Sequence, residues 1–80
     1  MTVRLRVFAM LRERLGRTEL VREVRTAATV GGVWRDVVKE HPVVAGVRVR
    51  FAVREEYVPA THRVRDGDEV AVFPPVSGGA

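Results

Sequence analysis

The sequence predicts an α+β domain: a mixed β-sheet with one main helix packed across it. Three observations carry that reading. Val3, Leu5, Val7 and Ala9 alternate with Arg4, Arg6 and Phe8, the period-two pattern of a half-buried strand. Val30, Val33, Trp34, Val37 and Val38 recur at i, i+3, i+4, i+7 and i+8, the stripe of an amphipathic helix. Glu69 to Phe73 alternates again, directly behind the turn-forming Asp66-Gly67-Asp68.

The remaining elements follow in chain order. Leu11 to Leu15 predicts a helical turn closed by Gly16, because a left-handed C-terminal cap favours glycine. Thr18 to Arg25 predicts a second strand with Leu20 and Val24 inward, although Val21 breaks the alternation. Thr29 is the expected N-cap of the main helix. Gly31 and Gly32 fall in its first turn, where each costs about 1 kcal/mol relative to alanine; no local pattern accounts for them. Pro42 ends the helix at His41 by disfavouring helical geometry in the residue before it.

Val43 to Val47 predicts an apolar loop or a short helical turn, and Arg48 to Val53 a strand with Val49, Phe51 and Val53 on one face. Arg54-Glu55-Glu56 is a turn candidate and Tyr57-Val58 its return strand. Two N-terminal strands, a crossing helix and later strands outline a β-grasp, or ubiquitin-like, domain over residues 1–75, with a diglycine tail over 76–80.

Composition narrows the class. Eighty residues allow one small core, and a domain of this size buries roughly 60–65% of its unfolded surface. There is no cysteine, so disulfides and thiolate metal sites are excluded, and any sulfur chemistry uses an atom other than a cysteine sulfur. No stretch reaches the ~18 apolar residues of a membrane span, and the N-terminus lacks a signal-peptide pattern. A cytoplasmic protein is expected.

Candidate chemistry is sparse within the first 75 residues. His41 and His62 lack metal-ligand spacing, so no metal is expected. Glu55-Glu56 and the Asp66/Asp68 pair read as solvated turns rather than acid–base catalysts. Gly31-Gly32 lacks the lysine and spacing of a phosphate loop, so no intrinsic ATP site is expected.

Strand parity is more informative. It puts Phe8, Tyr57 and Phe73 on the sheet face away from the helix, together with Arg4, Arg6, Arg48 and Arg50. Exposed apolar patches mark partner sites. The same face, at a net charge of +4, also fits a second class, a nucleic-acid-binding module with stacking aromatics. No RNA-binding aromatic motif accompanies it, so nucleic acid ranks well below a protein partner.

The end of the chain carries the sharpest signal. Pro74-Pro75 stops the last strand, and Val76-Ser77-Gly78-Gly79-Ala80 follows, with glycines able to thread a narrow channel. Three segments resemble the small subunit of molybdopterin synthase, a ubiquitin-like sulfur carrier. They are Phe8-Ala9-Met10-Leu11-Arg12-Glu13 with Gly16, Val53-Arg54-Glu55-Glu56-Tyr57-Val58, and Asp66 through Gly79 with its Phe73-Pro74-Pro75. Two departures stand out. Arg54 replaces an asparagine common in that family, and Ala80 follows the second glycine, where the family normally ends.

The resemblance implies a carrier and co-substrate with catalytic groups on other proteins. An ATP-dependent activating enzyme of the ubiquitin-activating type would adenylate Gly79, and a sulfur donor protein would convert the adenylate to a thiocarboxylate. The tail, Gly78 and Gly79, would then enter the large synthase subunit and give its sulfur to a pterin precursor. The chain itself would bind no cofactor. By the same resemblance Phe8, Arg12, Tyr57 and Phe73, with Pro74 and Pro75, would contact both partners. Gly79 would react after loss of Ala80, or the activating enzyme would accept alanine as the terminus. Sulfur delivery for thiazole or tRNA thiolation is the alternative within the carrier class.

Overall fold

The computed structural model describes residues 1–75; the tail, including Gly78, Gly79 and Ala80, lies outside them. Strand β1 (Thr2–Val7) buries Val3, Leu5 and Val7 and turns Arg4 and Arg6 to the opposite face, as the alternation predicts. Helix α1 (Ala9–Leu15) follows at once and ends at Gly16, whose φ of 72° is the left-handed cap.

Strand β2 (Glu19–Glu23) returns antiparallel to β1, with Leu5 opposite Leu20. It is shorter than predicted, yet Val24 still exchanges hydrogen bonds with Met1 across the same pair. The broken alternation has a physical reason. Leu20 points into the core and Val21, 53% exposed, faces outward opposite Arg4. Arg22, on the inward side, reaches past the core edge to pair with Glu40 at the end of α2, at 2.6 Å.

Helix α2 (Val30–Glu40) lays Val30, Val33, Trp34 and Val37 into the core cluster with Val3, Leu5, Leu20 and Phe51. Thr29 caps it, its Oγ1 accepting the Gly32 amide at 3.1 Å. A short 3₁₀ turn, Pro42–Val44, follows His41 and buries Val44.

Gly31 finds its explanation in this packing. The loop at residues 59–62 crosses the start of α2. There the Ala60 carbonyl accepts the Gly31 amide, and the His62 carbonyl accepts the Val30 amide, both at 2.9 Å. A Cβ on Gly31 would lie 2.8 Å from Ala60 Cβ and 2.9 Å from its carbonyl oxygen. The glycine therefore lets another backbone approach and satisfy the free amides of the helix start.

Strands β3 (Arg50–Val53), β4 (Glu56–Val58) and β5 (Glu69–Phe73) complete a five-stranded sheet of order β2-β1-β5-β3-β4. β5 runs parallel to β1 and antiparallel to β3, so the last strand lies in the middle of the sheet. Arg48 and Val49 precede β3, which is two residues shorter at its start than the alternation suggests. The β-grasp architecture expected from the sequence is the one observed, with α2 on one face of a mixed sheet.

One expectation is overturned. Asp68 is not in a solvated turn: it is 7% exposed. Its Oδ2 accepts the Arg65 amide at 2.8 Å and its Oδ1 accepts from Arg54 Nη1 at 2.9 Å. Asp66 does fit the solvated reading, its exposed side chain accepting the Thr2 amide at 2.8 Å. The difference comes from position. Asp68 sits immediately before β5, at the level where that strand enters the sheet, and its carbonyl already accepts the Arg4 amide at 2.9 Å.

Candidate partner-binding site

The sheet face opposite α2 gathers the aromatic residues. Val7 pairs with Val72 where β1 and β5 run parallel, so the next residue on each strand, Phe8 and Phe73, falls at the same level. Their rings stack with centroids 4.7 Å apart and planes 12° from parallel. Tyr57 comes from β4, two strands away, and meets the edge of Phe73 at 6.2 Å and 68°. Phe8 and Phe73 are half-buried, whereas Tyr57 is 63% exposed.

Two arginines overlie the cluster. Arg50 stands opposite Phe73 in the β3–β5 register, its guanidinium carbon 4.2 Å from the Tyr57 centroid. Arg6 lies 5.6 Å from the Phe8 centroid. Such cation–π contacts are each worth about 0.5–1 kcal/mol when exposed.

Phe8, Ala9, Arg50, Tyr57, Phe73, Pro74 and Pro75 line one shallow hollow of about 270 Å³. Its lining is aromatic, aliphatic and cationic, with no carboxylate or imidazole. It offers contact surface and hydrogen-bond donors rather than acid–base catalysis. The backbone shapes one wall: Ala9 adopts φ 53°, uncommon for a residue with a Cβ, and this turns the chain from β1 directly into α1. No sequence pattern announces that conformation.

Of the residues the sequence singles out, the structure brings together Phe8, Tyr57, Phe73, Pro74 and Pro75. Arg12 is exposed on α1, one turn beyond Phe8, and does not line the hollow. Arg4, Arg6 and Arg50 share the outer face, while Arg48 is exposed ahead of β3. Gly78 and Gly79 lie outside the described residues. Among the described residues no group of His, Asp and Glu is arranged to hold a metal ion.

A second feature of this face escaped sequence reasoning. The two-residue β3–β4 hairpin has both central residues left-handed, Arg54 at φ 51° and Glu55 at φ 68°. That is the twist a tight hairpin needs, usually supplied by Asn-Gly. Here the Asp68 ion pair holds the turn instead. The geometry also weighs against base stacking, because Phe8 and Phe73 cover one face of each other and Arg50 covers Tyr57.

Comparison with known proteins agrees with the fold and extends beyond it. The model of the ThiS family matches residues 5–79. The molybdopterin synthase sulfur carrier subunit of Homo sapiens is 44% identical over 52 residues; the match spans 59% of this chain and 59% of that protein, under two thirds of its length. The subunit of the same name from Chlamydomonas reinhardtii is 34% identical over 83 residues, covering 99% of this chain and 100% of the relative. Among solved structures, SAMP1 from Haloferax volcanii superposes with a TM-score of 0.86 at 29% identity, over 99% of this chain and 100% of that one.

Proposed function

The chain belongs to the ThiS family, and from that premise we propose that it is a sulfur carrier. In this reading Gly79 bears sulfur as a thiocarboxylate for a pterin precursor in molybdenum cofactor biosynthesis. The observation that carries the reading is a continuity. The family match runs through residue 79, and the strand that leads there ends in the aromatic hollow, with Phe73, Pro74 and Pro75 in its lining. A partner that takes up the tail therefore meets the patch at its root.

The chemistry requires such partners. A terminal carboxyl has a pKa of about 3.5, so at neutral pH it is an anion and a poor electrophile. Adenylation by an ATP-dependent activating enzyme makes its carbon electrophilic, with pyrophosphate as the leaving group. The terminal sulfur of a donor protein's persulfide then displaces AMP, and a thiol cleaves the resulting acyl disulfide, leaving the thiocarboxylate on the carrier and a disulfide on the donor sulfur. The chain holds no cysteine, so that sulfur comes from elsewhere. The thiocarboxylate next enters the large synthase subunit, which supplies the catalytic groups.

The carrier binds no cofactor of its own; ATP belongs to the activating enzyme. A cytoplasmic location, where ATP is at hand, is part of the proposal; among the described residues no helix is long and apolar enough to cross a membrane. Because Ala80 follows Gly79, the reacting carboxyl belongs to Gly79 only once that peptide bond is cut.

The test is to incubate the full-length and Gly79-ending proteins with a cognate activating enzyme, ATP and a sulfur donor, and to weigh the products. One oxygen replaced by sulfur on the Gly79-ending form is the expected result. The same mass change on intact Ala80 would show that removal is not obligatory. No thiocarboxylate on either form, with an enzyme active on another carrier, would reject the proposal.

A further inference from the structure

Two guanidinium groups flank the aromatic patch on either side of β5. Arg50, on β3, lies over Tyr57, and Arg6, on β1, lies beside Phe8. Arg50 makes no ion pair among the described residues. Arg6 has only a loose one, 3.9 Å from Glu69, with both side chains about half exposed at 52% and 44%. Arg50 is thus held by an aromatic ring with no carboxylate partner among the described residues, Arg6 lies between Phe8 and Glu69, and both remain solvated.

Any surface that closes over Phe8, Phe73 and Tyr57 removes water from these cations as well. A guanidinium stripped of water with no acceptor carries a heavy desolvation cost. A carboxylate opposite it restores the lost hydrogen bonds as charge-assisted, frequently bidentate ones. A partner that matched the rings alone would leave Arg50 buried and unpaired.

We infer that the partner of this face is a protein surface that sets a carboxylate opposite Arg50 as it closes over the rings of Phe8, Phe73 and Tyr57. Arg50 is the side chain that selects it. The inference rests on the carrier reading for the identity of that partner, the large synthase subunit. It adds the chemistry of the contact and gives Arg50, one of the four arginines that strand parity puts on this face, the role of a specificity residue.

Charge placement favours a protein over a polyanion. The same face carries Glu69 on β5 and Glu19 and Glu23 on β2, which interrupt the arginines. Phosphates along a nucleic acid would meet these acids, whereas a single carboxylate set opposite Arg50, away from Glu69 and Glu19 beside Arg6, would not. Arg50 and the two prolines also line one hollow, so a partner that receives the tail closes over Arg50.

The experiment is titration calorimetry of the full chain against the purified large subunit at low and high salt. It compares the unaltered protein, Arg50→Leu and Arg50→Glu, with thermal melts of each. Arg50 is exposed and loses only its stacking on Tyr57, so the melts should fall by no more than a few degrees. Arg50→Leu keeps apolar bulk and should bind about tenfold more weakly, with a shallower salt dependence; Arg50→Glu should lose about 100-fold. An unaltered protein that binds while Arg50→Glu binds equally well overturns this inference and leaves the carrier reading standing. No binding by the unaltered protein overturns both. RNA binding that requires Arg50, alongside large-subunit binding that does not, overturns it in favour of a nucleic-acid face.

Discussion

Arg54 reaches Asp68 at the end of the sheet where β3 leaves and β5 enters, its Nη1 2.9 Å from a carboxylate that is 7% exposed. The pair joins the β3–β4 hairpin to the turn that starts β5. Asp68 also accepts the Arg65 amide, so its carboxylate holds two hydrogen bonds at once. Removing it strands the Arg65 amide and frees a left-handed turn. Asp68→Ala should cost about 2–3 kcal/mol, as expected for hydrogen bonds to a charged buried group. Arg54→Ala should cost less than a fully buried pair would, because the arginine side chain is 59% exposed. Urea denaturation of the two single variants and the double variant measures the coupling. Strict additivity would show that the ion pair does not hold the turn.

Gly31→Ala runs against helix propensity. In an exposed helix the change would stabilise by about 1 kcal/mol. Here the new Cβ meets Ala60 Cβ at 2.8 Å and its carbonyl oxygen at 2.9 Å, so overpacking should destabilise by about 1–3 kcal/mol. Adding Ala60→Gly removes the side-chain contact and leaves the carbonyl in place. Partial rescue in chemical denaturation is the expected outcome. A more stable Gly31→Ala protein would mean that the loop at residues 59–62 yields freely.

Trp34 is 6% exposed on the core face of α2. Trp34→Ala should cost about 3–5 kcal/mol, a large part of the stability of a domain this small. Trp34→Phe should cost clearly less. The native protein should emit at short wavelength and shift to the red on unfolding, which reports burial without any substitution. Native emission like that of free tryptophan would contradict the placement.

Phe73→Ala should leave the sheet intact while removing the ring on which Phe8 stacks and against which Tyr57 leans. The pair terms amount to about 0.5–1.5 kcal/mol each, so a modest fall in melting temperature is expected. On the proposed carrier reading, binding to the large synthase subunit should weaken far more, since buried aromatic anchors dominate such contacts. Circular dichroism checks the fold and calorimetry the affinity. An unchanged affinity would move the interface elsewhere on the molecule.

Local patterns made much of this legible. The stripe from Val30 to Val38 placed α2, and the alternation from Glu69 to Phe73 placed β5 to the residue, because burial follows period directly in those segments. Parity alone put Phe8, Tyr57 and Phe73 on one face. What stayed hidden depended on partners distant in sequence. Gly31 is explained by Ala60, and the burial of Asp68 by Arg54 and by the entry of β5 into the sheet. The Arg54-Glu55 turn was found by position, but its left-handed form was not, because neither residue is a glycine or asparagine. Arg12 stands out in the motif while its surroundings among the described residues leave it outside the hollow.

The central position of β5 has a consequence for synthesis. β1 emerges from the ribosome first and β5 last among the strands, yet the two are neighbours and β5 fills the gap between β1 and β3. Until β5 emerges, β1 and β3 each present an open edge, and the sheet is two separate hairpins. The hollow likewise cannot exist, since Phe73 supplies its middle ring. A nascent or prematurely ended chain therefore carries the face only as separate halves, and only a molecule whose β5 has paired with both β1 and β3 presents it whole.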